Sequence, residues 1–410
     1  MAVEFTNPFR PGAGHTPPYL AGREEERKEF RRLLEQEAIL ENLVLTGLRG
    51  LGKTVLLESF KPLAIKEGWL WVGTDLSEST SVSEDNLAIR LFTDLSVVTS
   101  GFVIGVDETR EVGFGGAVSR VEQTLNFESL MAGYNATNGL VSDKLKATLE
   151  IAWKVLKQQN ARGVIFAYDE AQNLSDQAQK EQYPLSLLLD VFQSIQRKGV
   201  PFMLALTGLP TLFPKLVEAR TFAERMFRVV FLDRLTDRES TDAIKKPIES
   251  GKCPVKLSDV AVGTIVRLSG GYPYFIQFIC REVYDAFLQR LNDGRDAAVP
   301  VAEIHRKLDS DFFAGRWGRA TDRQRDLLSV IARLAECDSE FSVQAIVEKS
   351  KEQGGKPFGN SHVNQMLGAL TEQGLIYKNR YGRYSFAVPL LGAFIRRQMG
   401  DRQTDPNSAR

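Results

Sequence analysis

The sequence predicts a parallel α/β sheet, then an all-helical region, then a small module of helices and a hairpin. Three observations carry that expectation. Short apolar runs alternate with helical stretches up to about residue 233. From Leu235 the strand-like runs stop, and the chain reads as helical to about Trp317. From Thr321 to Met399, three helical patterns precede a hairpin pattern.

Taken in order, residues 1–22 are rich in Pro and Gly, which disfavours both helix and central strand and leaves an extended arm. Glu24 to Glu37 reads as a charged amphipathic helix with Phe30, Leu33 and Leu34 on its apolar side. The apolar runs are Asn42–Thr46, Trp69–Thr74, Gly163–Tyr168, Pro201–Thr207 and Arg228–Leu232. They are apolar throughout instead of alternating, as suits strands covered on both faces and joined by right-handed crossovers. Leu149, Ala152, Trp153 and Leu156 fall at helical spacing between the second and third runs. Residues 98–142, punctuated by seven glycines, break the rhythm and are expected to be an insertion with no chemistry assigned to it. The expected organisation is an arm (1–22), a sheet core (23–233, insertion 98–142), a helical region (234–318), a helix-and-hairpin module (319–400) and a polar tail (401–410).

Composition narrows the function classes. Lys+Arg 52 against Asp+Glu 52 gives a formal net charge of +0, so whole-chain attraction to nucleic acid or anionic lipid is excluded and only a local basic patch remains open. Cys253, Cys280 and Cys337 lie far apart with no C-x-x-C, against a disulfide scaffold or zinc ribbon. No basic-then-apolar leader and no apolar stretch of about 18 residues is present, so the expectation is a cytoplasmic protein with no membrane partner. No H-E-x-x-H or G-x-S-x-G pattern occurs, and the isolated histidines imply no metal.

The strongest chemical motif is Gly47-Leu-Arg-Gly50-Leu-Gly52-Lys53-Thr54, which fits G-x-x-x-x-G-K-[ST] and lies between a strand pattern and a helix beginning near Val55. Glycines let successive N–H groups turn toward one anion, and the helix N-terminus adds its positive dipole end. Gly47, Gly50, Gly52, Lys53, Thr54 and Val55 are therefore candidate nucleotide-binding positions. Lys53 would bridge the terminal phosphates and Thr54 would ligate Mg²⁺. A second acidic site supports this: Val164-Ile-Phe-Ala-Tyr168 ends in Asp169-Glu170, and ligands bind at the carboxyl ends of parallel strands. Asp169 would hold the metal, and Glu170 would take the proton of an attacking water.

With these residues in place, the chain resembles an AAA+ type P-loop ATPase, near the origin-recognition-like initiators and the STAND switch ATPases. The resemblance also rests on Gly22-Arg23-Glu24, Leu206-Thr207-Gly208-Leu-Pro210, Phe222-Ala-Glu-Arg225 and Ser269-Gly-Gly-Tyr272-Pro273, in the family's order over residues 17–290. It implies ATP and Mg²⁺ as ligands, Gly22 and Arg23 over the adenine, and Thr207 as the γ-phosphate sensor; an alternative for Thr207 is a turn or cap residue. Arg225, or alternatively Arg220, resembles the arginine that reaches a neighbouring subunit's nucleotide, which implies a homo-oligomer. No arginine stands at the second sensor position. Tyr272 and Pro273 resemble instead the Gly-x-Pro signature that couples a helical lid to nucleotide state, which implies tight binding and slow turnover.

The last module reads as a helix over Thr321–Glu336, a helix over Phe341–Ser350 capped by Ser342, and a helix capped by Asn360 or Ser361 and ended at Gly374. A hairpin from Ile376 to Val388 follows. This order resembles a winged helix. Lys378, Arg380 and Arg383 cluster on the hairpin with Tyr381 and Tyr384 interleaved, a pattern suited to phosphate contact with double-stranded DNA. The third helix offers Ser361, His362, Asn364 and Gln365 but neither Lys nor Arg. The expected function is a nucleotide-controlled ATPase switch that couples oligomerisation to DNA binding, or alternatively a STAND-like switch whose module docks a protein partner.

Overall fold

The computed structural model describes residues 6–12, 14–110, 118–251, 253–292, 299–352, 357–380 and 382–400. Parts of the expected arm and insertion, Tyr381 and the 401–410 tail lie outside the described residues. Contacts divide the chain into two compact units. One comprises Arg23–Gly47 and Lys53–Leu232; the other comprises Met1–Gly22, Leu48–Gly52 and Asp233–Arg410.

The first unit runs α1 (Glu24–Leu34), β1 (Asn42–Thr46), α2 (Lys53–Lys66), β2 (Trp69–Val72), α3 (Glu84–Thr99), β3 (Val103–Arg110), β4 (Val118–Thr124), α4 (Phe127–Ala136), α5 (Val141–Gln158), β5 (Gly163–Tyr168), α6 (Pro184–Arg197), β6 (Phe202–Gly208), α7 (Leu212–Ala219), α8 (Ala223–Met226) and β7 (Phe227–Phe231). Five of these strands form one parallel sheet in the order β2-β5-β6-β1-β7. Every residue of β1, β5 and β6 is buried, as their unbroken apolar runs require. On one face, Val44, Phe166, Phe202 and Leu204 pack in a cluster with Leu91, Leu149, Leu188 and Phe192. Phe30 stacks on Phe60 (centroids 4.3 Å apart) and meets Trp71 edge-on.

The amino end of the sheet is locked by a buried amide pair. Asn42 accepts from Gln196 Nε2 and from the Leu204 N–H, both at 2.8 Å, and donates to the Met226 carbonyl at 3.2 Å. Each buried polar atom here has a partner, so the network fixes register without a desolvation cost left unmet.

The 98–142 stretch contains more regular structure than its glycines imply. α3 continues to Thr99, β3 and β4 pair antiparallel, and α4 is capped by Asn126, whose side chain accepts from the Ser129 N–H. Thr99 Oγ1 donates to the Leu125 carbonyl at 2.6 Å, tying the strand pair to the end of α3.

The second unit is mainly helical: α9 (Asp237–Ser250), α10 (Asp259–Ser269), α11 (Pro273–Asn292), α12 (Val301–Leu308), a π-helical turn over Asp309–Phe313, α13 (Ala314–Trp317) and α14 (Asp322–Ala332). Then follow β8 (Phe341–Ser342), α15 (Val343–Glu352), α16 (Asn360–Glu372), β9 (Ile376–Arg380), β10 (Arg383–Phe386) and α17 (Leu391–Gln398). Capping boxes at Thr236 and Thr321 start α9 and α14. Phe275, Phe313 and Phe394 join one apolar cluster that runs from α9 through α17.

Three local expectations change here. Phe341 is strand, not helix, because it pairs with Tyr384 of β10 and its ring meets Phe386 at 5.7 Å; Ser342 still caps α15 through the Ala345 N–H. α16 takes Gly359 as its N-cap, with no side-chain capping bond, because the Gly359 carbonyl already accepts the Val363 N–H. Tyr384, expected among the basic residues of the hairpin, is buried in the core together with Ser385 and Phe386, following a register irregularity after Arg383, which stays exposed.

Candidate functional site

Strand register alone brings the expected acid and hydroxyl together. Tyr168 pairs with Leu206 and Leu45 with Thr207, so Asp169, one residue past β5, falls beside Thr207 at the carboxyl end of the sheet. Asp169 is 5% exposed, yet it is well supplied with donors. Thr54 Oγ1 donates to its Oδ2 and Thr207 Oγ1 to its Oδ1, while the Glu170 N–H reaches Oδ1 at 2.7 Å. A carboxylate so saturated can stay buried, which an unpaired one could not.

Lys53 opens α2, is itself buried, and points its Nζ back to the Gly47 carbonyl at 3.0 Å. Before it, Gly50 (φ +78°) and Gly52 (φ +83°) hold left-handed backbone. A Cβ on Gly52 would meet nothing within 4 Å, so conformation and not crowding demands glycine there.

Glu170 is exposed and sits in the left-handed region (φ 49°), a strained position for a side chain of this type. Gln172 Nε2 donates to its carboxylate, and Gln172 Oε1 accepts the Leu209 N–H at 3.1 Å, linking Glu170 to the end of β6. Lys215 donates to the Gln172 carbonyl at 2.6 Å; burial lowers its pKa, opposed by Asp176 and Glu218.

Asp75 is the residue that sequence reasoning missed. It follows β2 and forms an isolated bridge with Asp169, flanked by bonds from Asp169 N–H to the Thr74 carbonyl (3.2 Å) and from Leu76 N–H to the Asp169 carbonyl (2.9 Å). Burial first, then the charges of Asp169 and Glu170, push its carboxyl above the ordinary value. The available clue was its place at the carboxyl end of an apolar run.

The remaining candidates are dispersed. Arg23 is buried and paired with Glu26 at 3.2 Å, while Gly22 lies against the Glu239 side chain. Arg225 is exposed on α8. Arg220, in contrast, is held by Asp190 in a two-point pair (2.8 and 2.7 Å) and by Ser186 Oγ at 2.8 Å. Val55 is buried in α2; Tyr272 precedes α11, with its phenol pKa raised chiefly by burial, and Pro273 is the first residue of that helix. Lys378 and Arg383 are exposed on β9 and β10, and Arg380 ends β9.

Two solved structures share this architecture. A Walker-type ATPase of Pyrococcus abyssi is 16% identical, covers 92% of this chain and 96% of its own, and superposes with a TM-score of 0.56. The ADP form of the Aeropyrum pernix ORC2 protein is 16% identical, covers 94% and 96%, and gives 0.51. The chain shares the fold of these two proteins. A family model described as a domain of unknown function (DUF8462) matches residues 310–395. No curated protein matches the chain.

Proposed function

We propose that this AAA+ chain binds ATP at the loop before Lys53 and hydrolyses it slowly, using the nucleotide state as a switch. The observation that carries the reading is the convergence of Thr54 and Thr207 on the buried Asp169, one residue from Glu170, at the carboxyl edge of the sheet. Lys53 supplies a positive charge for the terminal phosphates, and the loop amides supply donors. Glu170 accepts a proton from the attacking water, while Thr207 orients Asp169.

The residues fit Mg²⁺. Thr54 and Asp169 are hard oxygen donors, and the crowding of Asp75 with Asp169 and Glu170 is the kind of negative field a divalent cation relieves. When bound, the ion would neutralise charge on the phosphates. Thr46 Oγ1, at the end of β1, is buried without a partner among the described residues, which suits a polar ligand or water nearby.

The expected division into a core over 23–233, a lid over 234–318 and a winged helix over 319–400 belongs to this proposal, with the three free cysteines in keeping with a cytoplasmic site of action. In it, Lys378, Arg380 and Arg383 contact the phosphates of duplex DNA, and Arg225 reaches the nucleotide of a neighbouring copy. Tyr272 and Pro273 report nucleotide state, and Gly22 and Arg23 border the adenine. A second reading, a STAND-like switch with a protein partner, is favoured by α16, whose exposed residues Ser361, His362, Asn364 and Gln365 carry no Lys or Arg.

The test is nucleotide binding and turnover in two variants. Lys53→Ala is expected to abolish ATP binding. Glu170→Gln is expected to retain it and to lower hydrolysis by about a hundredfold or more. ATP hydrolysis at the parental rate in Glu170→Gln would remove the assigned base.

A further inference from the structure

The tip of the glycine loop belongs to the second unit, and three arginines gather there. Gly50, next to Arg49, accepts the Tyr274 N–H on its carbonyl at 3.1 Å. The Tyr274 ring lies 5.4 Å from Phe312. Arg316 places its guanidinium 4.6 Å over the Phe312 ring and donates to the Phe312 carbonyl. Arg319 follows on the same turn, its N–H bonded to the Arg316 carbonyl at 3.2 Å. Arg316 is half-buried, and Arg49 and Arg319 are exposed.

The group combines three like charges with no ion-paired carboxylate among the described residues. Three other partly buried arginines are paired with carboxylates: Arg90 with Asp94, Arg220 with Asp190, Arg397 with Asp309. Among the described residues, no carboxylate lies within ion-pair distance of Arg49, Arg316 or Arg319. Burial first, then the like charges of Arg49 and Arg319, lower the Arg316 pKa, with Tyr274 opposing. Like charges held together and partly dried cost free energy unless an anion joins them. Guanidinium forks match the oxygens of a phosphoryl group better than those of a monatomic ion.

We propose that Arg49, Arg316 and Arg319 form a phosphoryl-anion site beside Tyr274 and Phe312. The phosphoryl group comes from a nucleotide or from a nucleic-acid backbone. The site stands on its own residues and does not require the reading given to Lys53.

The test separates the two by using the full-length Lys53→Ala chain, with inorganic tripolyphosphate as probe, titrated calorimetrically at low salt. Adding Arg316→Gln or Arg49→Gln is expected to weaken binding about tenfold, and adding Arg323→Gln to leave it unchanged. Arg316 packs on Phe312, so if Arg316→Gln fails to fold, the exposed Arg49→Gln carries the measurement. Equal affinity in all these chains overturns the proposal. With Lys53 restored, Arg316→Gln is then titrated with ATP and with a duplex of arbitrary sequence. Weakening for ATP assigns the nucleotide, weakening for the duplex assigns the backbone, and no weakening for either overturns the site.

Discussion

Asp94 is a second carboxylate that the fold buries, and its chemistry differs from that of Asp169. It takes Arg90 Nε at 2.9 Å and the Tyr168 hydroxyl at 2.9 Å, yet burial outweighs both and raises its pKa above the ordinary aspartate value of 3.8. A carboxyl raised in the folded state contributes stability in full below the unfolded value, and that contribution is lost as pH climbs through the folded value. The melting temperature of the parental chain relative to Asp94→Asn should therefore be most favourable below about pH 3.8 and decline as pH rises. A gap that widens toward neutral pH would mean that Arg90 and Tyr168 outweigh burial. Tyr168 itself was legible only as the last apolar residue before Asp169. Its bond to Asp94, 74 residues away, depends on α3 packing against β5.

At the scale of elements, the carboxyl end of β2 shows how closely strand backbones can set a sequence requirement. Gly73 has φ +129°, and a Cβ built on it would lie 1.9 Å from the Ala167 carbonyl oxygen. Backbone cannot move aside there without breaking the β2–β5 pairing that holds Asp75 beside Asp169. Gly73→Ala should lower stability by about 3 kcal/mol or more, read as a large fall in thermal midpoint. β1, β5 and β6 were legible because every residue in them is buried, so they read as continuous apolar sequence; β7, at the sheet edge, is apolar in sequence yet largely open, with Arg228 and Phe231 exposed. β8 was not, because two residues carry no period, and Phe341 becomes strand only through its pairing with Tyr384.

At the scale of the whole molecule, the proposed switch has two candidate targets, duplex DNA and a protein partner. Exposed Lys378 and Arg383 give the duplex reading a definite expectation: Lys378→Glu with Arg383→Glu should reduce DNA affinity and flatten its dependence on salt by about one to two units of logarithmic slope. Affinity that stays constant, alongside a nucleotide-dependent protein complex that survives nuclease, would favour the protein-docking reading. Assembly has its own check. Arg225→Ala should lose hydrolysis that returns on mixing with Lys53→Ala, because each supplies the group the other lacks; the absence of recovery at any ratio would count against action between copies. Arg220 is the poorer choice for that role, since withdrawing it would break its two-point pair with Asp190.

The sequence by itself determined the glycine loop before Lys53, the acid pair after β5 and the order of the parallel strands' apolar runs. Those features are local: glycine conformation, helix starts and two-sided burial all leave their mark within a dozen residues. Only the tertiary structure decided that Asp75 borders Asp169, that Tyr384 turns inward, and that Arg49 stands with Arg316 and Arg319. Each of those depends on residues distant in the chain meeting through strand register or helix packing, and no local periodicity encodes which distant partner a side chain will face.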